Sequence, residues 1–292
     1  MPSIIYRFAV LLCIAFCSLQ SQAKTSVWQL TDGKNTVYIG GTVHLLSEKD
    51  HPLPAAYERA YKAADTLVFE TDMAAMQTPA YQAQLMGALT NKDGRSLQSQ
   101  LSPETLASLT QFFQSRGMDV AGFSMFTPSG VAMMISIIEL QRMGLEPQWG
   151  VDVQYSARAE RDNKTQAQLE TPEQQIAFIT AIGDDDPNAT LNYTLADLNK
   201  MQSYMADMLR AWREGDMPLM EKLALVEMRE KVPAMHKVLV LERNQRWLPQ
   251  IKAMLADAQK NEFVLVGALH LAGPEGLIEQ LRKSGYTVTQ LD

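Results

Sequence analysis

The sequence predicts an α/β fold in which two related β-loop-α-β units form a central sheet, with a large, mainly helical middle region between them. Gly41-Thr42-Val43-His44-Leu45 follows a short apolar run, and Gly267-Ala268-Leu269-His270-Leu271 follows a second one. Each motif precedes a helix-length segment and another short strand-like stretch, whereas apolar residues between the two units mostly recur at helical spacing. We therefore expect one domain, 24–292, with paired core units at 24–74 and 262–292 and a mainly helical middle at 75–261.

Residues 1–23 have the pattern of a cleavable signal peptide. Arg7 precedes an apolar run at 8–16, and Ser21-Gln22-Ala23 is a small-x-small cleavage site, so we expect cleavage after Ala23. The apolar run is too short to cross a bilayer comfortably, and no later segment approaches the necessary length. The mature chain is therefore expected to be periplasmic or secreted, with no transmembrane segment.

Composition excludes several classes of site and partner. The only two cysteines, Cys13 and Cys17, lie in the predicted signal peptide, which leaves the mature chain without disulfides or thiolate chemistry. The formal net charge is -7, and no run of basic residues interrupts the acidic balance. Nucleic acid is therefore not an expected partner.

The first unit begins with a predicted hairpin. Residues 26–30 and 36–40 are rich in apolar and β-branched side chains and flank a turn that contains Asp32-Gly33. Residues 54–64 repeat apolar side chains at helical spacing, and Pro54 suits the first turn of a helix. A strand is predicted at 66–70, where acidic residues bound an apolar run.

The middle region reads as a series of helices with one strand. Thr127-Pro128 has the residue types of an N-cap and a first helical position, and one weak strand is predicted near 164–170. Residues 183–187 read as a solvated acidic loop. A methionine-rich stripe at 191–212 predicts a long helix whose apolar face is core, although such a stripe can also line a groove. Two further helices are predicted, separated near Pro249, before the strand, helix and strand of the second unit.

The two motif histidines predict a shared site. Crossover helices between short strands favour parallel pairing, which places His44 and His270 at the carboxyl ends of neighbouring strands. Glu70 follows the next strand and should lie at the same edge. Two histidines and a carboxylate can hold a divalent ion that lowers the pKa of a water molecule, so we expect His44, Glu70 and His270 to be metal ligands. Zinc, manganese, cobalt and iron(II) all suit these donors.

Other polar residues have competing interpretations. Glu170 is expected to be the general base or a further ligand, and Arg243 to polarise a carbonyl or stabilise an oxyanion. His51 is interpreted as a loop residue rather than a ligand, and His236 as a surface or packing residue. Asp72 either contributes to the site or caps a helix.

The sequence resembles the TraB/GumN family, which is related to the Tiki proteases. The resemblance covers nearly all of the mature chain, and it implies a two-fold α/β core that looks like a metal-dependent peptidase. Carried over by position, it implies His44 and His270 as the motif histidines, Glu70 and Glu170 as the acids, and Arg243 as the arginine. Its motifs are Gly41-Thr42-Val43-His44, Leu67-Val68-Phe69-Glu70-Thr71-Asp72, Gly150-Val151-Asp152, Leu169-Glu170-Thr171 with Gln174, Glu242-Arg243-Asn244 and Val266-Gly267-Ala268-Leu269-His270-Leu271.

The expected function is that of a metal-dependent hydrolase, and specifically a metallopeptidase acting on a peptide or protein. One alternative is an esterase-like hydrolase without a metal, in which a histidine acts as general base beside a glutamate. Another is a protein that binds iron, haem or a small ligand without turnover. Proteins related to the family represent both alternatives, and sensitivity to a chelator separates the first two hypotheses.

Overall fold

The computed structural model describes residues 24–182, 186–257 and 260–292. The predicted signal peptide lies outside these residues, as do positions 183–185 of the predicted acidic loop. The described chain forms a six-stranded sheet with a large helical region on the side of its carboxyl strand ends. The fold class is therefore the predicted one.

The central sheet has the strand order β4-β3-β5-β2-β1-β6. Strands β4, β3, β5 and β2 run parallel to one another, whereas β1 is antiparallel to both β2 and β6. The predicted hairpin is confirmed as β1 and β2, with Asp32 accepting backbone hydrogen bonds from Lys34 and Asn35 in the turn. The strands are β1 (Val27–Thr31), β2 (Thr36–Thr42), β3 (Thr66–Phe69), β4 (Thr165–Gln168), β5 (Glu262–Gly267) and β6 (Thr287–Gln290).

The two β-loop-α-β units are interleaved in this sheet. The first consists of β2, α1 (Ala55–Ala63) and β3, and the second of β5, α13 (Leu277–Lys283) and β6. Strand β5 lies between β2 and β3, so each unit places a strand beside the histidine-bearing strand of the other. Thr42 pairs with Gly267 across β2 and β5. Both Gly-x-x-His motifs therefore leave the sheet side by side.

The middle region is helical apart from β4, as predicted. Thr127 caps α5 by accepting a hydrogen bond from the Gly130 amide (3.1 Å), and Pro128 is the first helical residue. No helix of the described residues is both long and apolar enough to cross a membrane. The helices are α2 (Met73–Met76), α3 (Pro79–Ala88), α4 (Pro103–Gln114), α5 (Pro128–Arg142), α6 (Val151–Arg161), α7 (Pro172–Thr180), α8 (Pro187–Glu214), α9 (Met217–Met220), α10 (Val226–Lys231), α11 (Pro233–His236) and α12 (Glu242–Ala256), with 3-10 turns at Glu48–Asp50, Leu97–Gln100, Val120–Phe123, Pro147–Trp149 and Ala268–Leu271 and π-helical turns at Glu221–Leu225 and Lys237–Leu241.

The predicted helix boundary near Pro249 is wrong. Pro249 lies inside α12, which continues to Ala256, and the chain breaks instead at Val232, directly before Pro233. Trp247, Ile251 and Leu255 are buried at successive spacings of four residues on one face of α12. The free energy gained by burying these side chains offsets the loss of the backbone hydrogen bond that Pro249 cannot donate. At Val232, by contrast, the following proline disfavours helical backbone angles, so the helix ends there.

Two apolar clusters hold the molecule together. The larger surrounds the sheet and includes Tyr57, Trp247 and Phe263, while the smaller lies among α4, α5 and α8 and includes Phe113 and Ile135. The long helix predicted from the methionine stripe is confirmed as α8.

Trp212, near the end of α8, fixes the start of the first histidine motif. Its indole nitrogen donates to the Gly41 carbonyl (2.8 Å) and to the Tyr57 hydroxyl (3.1 Å), and Tyr57 also donates to the Gly41 carbonyl. All three residues are buried. The helical region and the sheet are therefore joined directly where β2 ends.

Replacement of Gly40 by alanine is expected to lower the free energy of unfolding by about 1–3 kcal/mol. A Cβ at Gly40 would lie 2.8 Å from Phe263 Cε2 and 3.0 Å from Leu265 Cδ2, both on the neighbouring strand. Urea unfolding measures the change. Gly87→Ala in α3 is the matched control, because its Cβ would meet nothing within 4 Å. Equal effects of the two substitutions would contradict the close packing at Gly40.

Candidate functional site

Four parallel strands place four polar side chains at one edge of the sheet. His44 follows β2, Glu70 follows β3, Glu170 follows β4 and His270 follows β5. Backbone pairing continues beyond β3 and β4, since the Glu170 amide donates to the Glu70 carbonyl (2.9 Å). The two acids therefore stand next to each other, and the structure brings the predicted site residues of all four strands together.

Arg243, the fifth predicted residue, comes from α12 and bridges three of the other four. One terminal nitrogen donates to both Glu70 and Glu170, and Nε donates to the second Glu170 oxygen (3.1 Å). The other terminal nitrogen lies 3.2 Å from His270 Nε2. All four side chains are buried, so one guanidinium compensates two carboxylates that would be costly to bury unpaired.

Asn244 fixes the tautomer of His270. The Asn244 amide nitrogen donates to the carbonyls of His270 (3.0 Å) and Glu275 (3.1 Å), so its oxygen is left to accept from His270 Nδ1 (2.7 Å). His270 Nε2 therefore carries a lone pair that faces Arg243. Burial lowers the pKa of His270 to about 3, and the ring is consequently neutral at physiological pH.

His44 is paired with a carboxylate that lies outside the predicted set. Its Nδ1 lies 2.7 Å from Asp152 Oδ2, near the start of α6, and the imidazole is 58% exposed whereas Asp152 is 7% exposed. The Asp152 charge raises the pKa of His44 to about 9, with a smaller contribution from Glu70. Asp152 thus holds a proton on Nδ1, and Nε2 lies on the side of the ring near Gly267.

The Gly150-Val151-Asp152 segment is fastened to the His44 loop. The Val151 amide donates to the Val43 carbonyl (3.1 Å). A Cβ on Gly150 would collide with the backbone carbonyl of His44, so only glycine allows this approach. The same contact that starts α6 therefore positions Asp152 against the imidazole.

Gly267 marks the point where the polar groups converge. Its amide donates to Glu70 Oε1 at 2.6 Å. A Cβ at this position would lie 3.2 Å from Glu70 Oε1, 3.5 Å from His270 Cδ2 and 3.7 Å from His44 Nε2. The missing side chain leaves a small space bounded by both histidines and the first acid.

The two buried glutamates differ in acidity. Burial by itself raises the pKa of Glu70, but Arg243, both histidines and the Gly267 amide together hold that pKa below its ordinary value. Burial raises the pKa of Glu170 despite its bonds to Arg243. Two carboxyl groups with separated pKa values are typical of sites that divide charge stabilisation from proton transfer.

The donors around Gly267 fit a divalent ion in type, but His270 turns Cδ2 rather than Nε2 toward the space there. Two imidazoles with Nδ1 satisfied and one ionised carboxylate are a common ligand set. Across the described ranges 24–182, 186–257 and 260–292, no three His, Cys, Asp or Glu side chains are already arranged as a metal site, and Arg243 instead bonds Glu70 and His270. Ion binding would therefore require Arg243 to release His270 Nε2.

A cavity of ≈ 540 Å³ opens onto this cluster. His44, Glu70, Asp152 and Arg243 line it on the side of the sheet. The remaining walls come largely from apolar side chains of the helical region, which include Met73, Met133, Ile137, Phe178, Met235 and Leu239. A ligand in the cavity would therefore meet charge at one end and an apolar surface elsewhere.

Three other polar residues considered from the sequence have structural roles. His51 Nε2 bonds the Trp149 carbonyl (2.9 Å) in a loop, and Asp72 caps α2 through the Ala74 and Ala75 amides. His236 is buried on α11 and does not line the cavity. The interpretation of His51 as a loop residue, of Asp72 as a cap and of His236 as a packing residue agrees with these positions.

Asp152, Asn244 and the Gly267 amide were not assigned roles from the sequence. Asn244 directly follows Arg243, and Gly267 is the first residue of the second motif. Their closeness in sequence to predicted site residues could have identified both. Asp152 lies 108 positions from His44, and no local pattern links them. Its position within a family motif was the one available indication.

Comparisons with known proteins identify one family over almost the whole chain. A family model described as the TraB/PrgY/gumN family matches residues 26–290. The uncharacterized protein YbaP of Escherichia coli (strain K12) and that of Shigella flexneri are each 28% identical to the chain over 250 residues, which is 86% of this chain and 89% of each relative. No solved structure matches the chain significantly.

Asp152→Asn is expected to lower the pKa of His44 from about 9 toward the ordinary value of 6.5, because the amide no longer stabilises the imidazolium charge. NMR titration of the histidine ring protons measures it, and the chain has only four histidines to assign. Asp162→Asn, just beyond the same helix, is the charge-matched control. An unchanged His44 titration in the Asp152 variant would contradict the pairing.

Proposed function

Because the chain belongs to the TraB/PrgY/gumN family, we propose that it is a metal-dependent hydrolase, and specifically a metallopeptidase. One observation carries the proposal, namely the convergence of His44 Nε2, Glu70 and His270 on the space at Gly267, beside Arg243 and an open cavity. Substrate carbonyl groups entering the cavity would meet these residues at its charged end.

His44, Glu70 and His270 would hold the ion. Asp152 and Asn244 keep the Nδ1 positions of the two imidazoles occupied, so that each ring presents Nε2. When bound, a divalent ion supplies a Lewis acid that brings the pKa of water toward neutrality and polarises a carbonyl. The raised pKa of His44 implies that ion binding displaces a proton and weakens as the pH falls.

Glu170 and Arg243 would provide the remaining chemistry. The raised pKa of Glu170 brings this carboxylate closer to the range in which a general base also returns its proton to a leaving group. Arg243 keeps its charge in a buried setting, where hydrogen bonds to a developing oxyanion are strong. Its guanidinium also keeps Glu70 and Glu170 at a fixed separation.

A second function, hydrolysis without a metal, is favoured by the contacts of Arg243. Its guanidinium already satisfies Glu70, Glu170 and His270 without an ion. His44, oriented by Asp152, would then be the general base. Its raised pKa makes the unprotonated form scarce at neutral pH, so this reaction would accelerate as the pH rises toward 9.

We also propose that the protein acts in the periplasm or outside the cell after cleavage following Ala23. The sequence pattern of residues 1–23 supports this location. Mass spectrometry of the exported protein would give a chain that begins at Lys24.

His44→Ala and His270→Ala are each expected to abolish peptide hydrolysis and retention of the divalent ion, since each removes one of three ligands. Elemental analysis of protein purified without a His-tag measures retention, and a peptide library with and without chelator measures hydrolysis. His51→Ala is the matched control and should retain both properties.

The outcomes separate the candidate functions. Chelator-sensitive cleavage that is lost in both variants supports the metallopeptidase. Cleavage indifferent to chelator supports the metal-independent hydrolase, and an ion retained without turnover supports a binding protein. Full activity in either histidine variant would refute the site itself.

Glu170→Gln is expected to reduce kcat by about 10²–10⁴-fold while the ion is retained, because the amide cannot accept a proton but keeps the shape of the side chain. Glu173→Gln, an exposed change on α7, is the control and should leave kcat unchanged. Steady-state kinetics with elemental analysis tests the prediction. Unchanged turnover in Glu170→Gln would exclude proton transfer by this residue.

A further inference from the structure

A second cavity adjoins the site at His44. It has a volume of ≈ 340 Å³ and lies between the end of β2, the 3-10 turn after β5 and the long helix α8. His44 and Leu45 line both this cavity and the larger one. The exposed imidazole therefore stands where two separate cavities meet.

Both cavities have apolar walls. Met133 and Ile137 of α5 and Phe178 of α7 face the first, whereas Met205 and Met208 of α8 face the second. The methionine stripe of α8 is thus partly a cavity wall, since Met205 and Met208 are only partly buried. Methionine side chains adapt to apolar groups of different shape.

Within the described chain, the charged groups that line the two cavities already have hydrogen-bond partners. In the first, Arg243 is already bonded to Glu70 and Glu170, and Asp152 to His44. In the second, the aspartate and the histidine of the lining are Asp197 and His44. Asp197 accepts a hydrogen bond from the Tyr204 hydroxyl (2.7 Å). A lysine side chain would therefore lose hydration in either cavity, and its one anionic partner in the second would be Asp197, which is partly buried and already hydrogen-bonded.

Each cavity also has one buried hydroxyl without a hydrogen-bond partner in the described chain. Thr71 lines the first cavity and is 1% exposed, and Thr42 lines the second and is 2% exposed. Buried polar groups normally have partners. Both oxygens are shielded from solvent, so the cavity walls would have to shift before the backbone amides of a peptide could bond them.

We propose, building on the hydrolase function above, that the substrate is a peptide segment with an apolar side chain on each side of the amide held at His44. One side chain enters the cavity bounded by α5 and α7, and the other enters the cavity bounded by α8. The two volumes lie in the lower half of the range for ligand pockets, and each has room for one large side chain with its backbone.

Binding tests the inference separately from catalysis. The probe is a fluorescent, blocked hexapeptide of alanine with leucine on both sides of an N-methylated central amide, which resists hydrolysis. Anisotropy should show that lysine in place of either leucine weakens binding roughly tenfold or more, and that both replacements weaken it further.

Two charge variants test the assignment of one side chain to each cavity. Met133→Glu should restore binding of the peptide with lysine on one side, and Met205→Glu should restore binding of the peptide with lysine on the other side. Such a gain cannot arise from loss of folding. Gln141→Glu and Ala206→Glu place the same charge on exposed positions of α5 and α8 and should restore neither.

Binding that is equally tight with leucine or lysine would overturn the inference, as would rescue of the same peptide position by both variants. Loss of affinity on only one side would indicate a ligand with a single apolar group, such as an ester, and would overturn it as well. If the peptides bind in the predicted pattern but are not hydrolysed, the proposed hydrolase function is refuted and the proposed peptide-binding site is supported.

Discussion

The buried guanidinium of Arg243 is the contact on which the site and much of the fold depend. It joins an acid after β3, an acid after β4 and a histidine after β5 to a single residue of α12. Two ionised carboxylates are costly to bury side by side without a cation, and removal of one partner from such a network typically costs about 3–5 kcal/mol. The stability of the sheet edge and the electrostatics of the site therefore have the same origin.

Strand direction explains why chemistry is concentrated at this edge. Parallel strands β2, β3, β4 and β5 all end on the same side, and each is followed within three residues by a polar side chain of the cluster. The helical region faces that edge and contributes the apolar walls of both cavities. The strand ends thus provide most of the polar groups of the site, and the helical region provides the apolar walls of the cavities.

Local signals in the sequence predicted the parts of this arrangement that depend on neighbouring residues. Asp32-Gly33 predicted the hairpin, Thr127-Pro128 predicted the start of α5, and the repeated Gly-x-x-His motif predicted that two distant histidines leave adjacent strands. The predicted helix boundary at Pro249 was wrong because a proline affects only the local backbone. Burial of Trp247 and Ile251 stabilises the helix on both sides of it. Tertiary packing outweighed local propensity there.

Contacts between distant positions were beyond prediction from one sequence. Nothing near His44 indicates Asp152 as its partner, and no spacing reveals that β5 lies between β2 and β3. The role of Arg243 was predicted toward the substrate, whereas its contacts also stabilise the buried side chains of Glu70 and Glu170. These features arise from strand order and from close approach at Gly150 and Gly267, which become visible only when the chain is folded.

Anomalous diffraction from crystals soaked with manganese or zinc tests the central claim most directly. We predict one strong peak in the space beside Gly267, within bonding distance of His44, Glu70 and His270, with Arg243 displaced from His270 Nε2. Absence of a peak there under saturating metal, with Arg243 still bonded to His270, would contradict it.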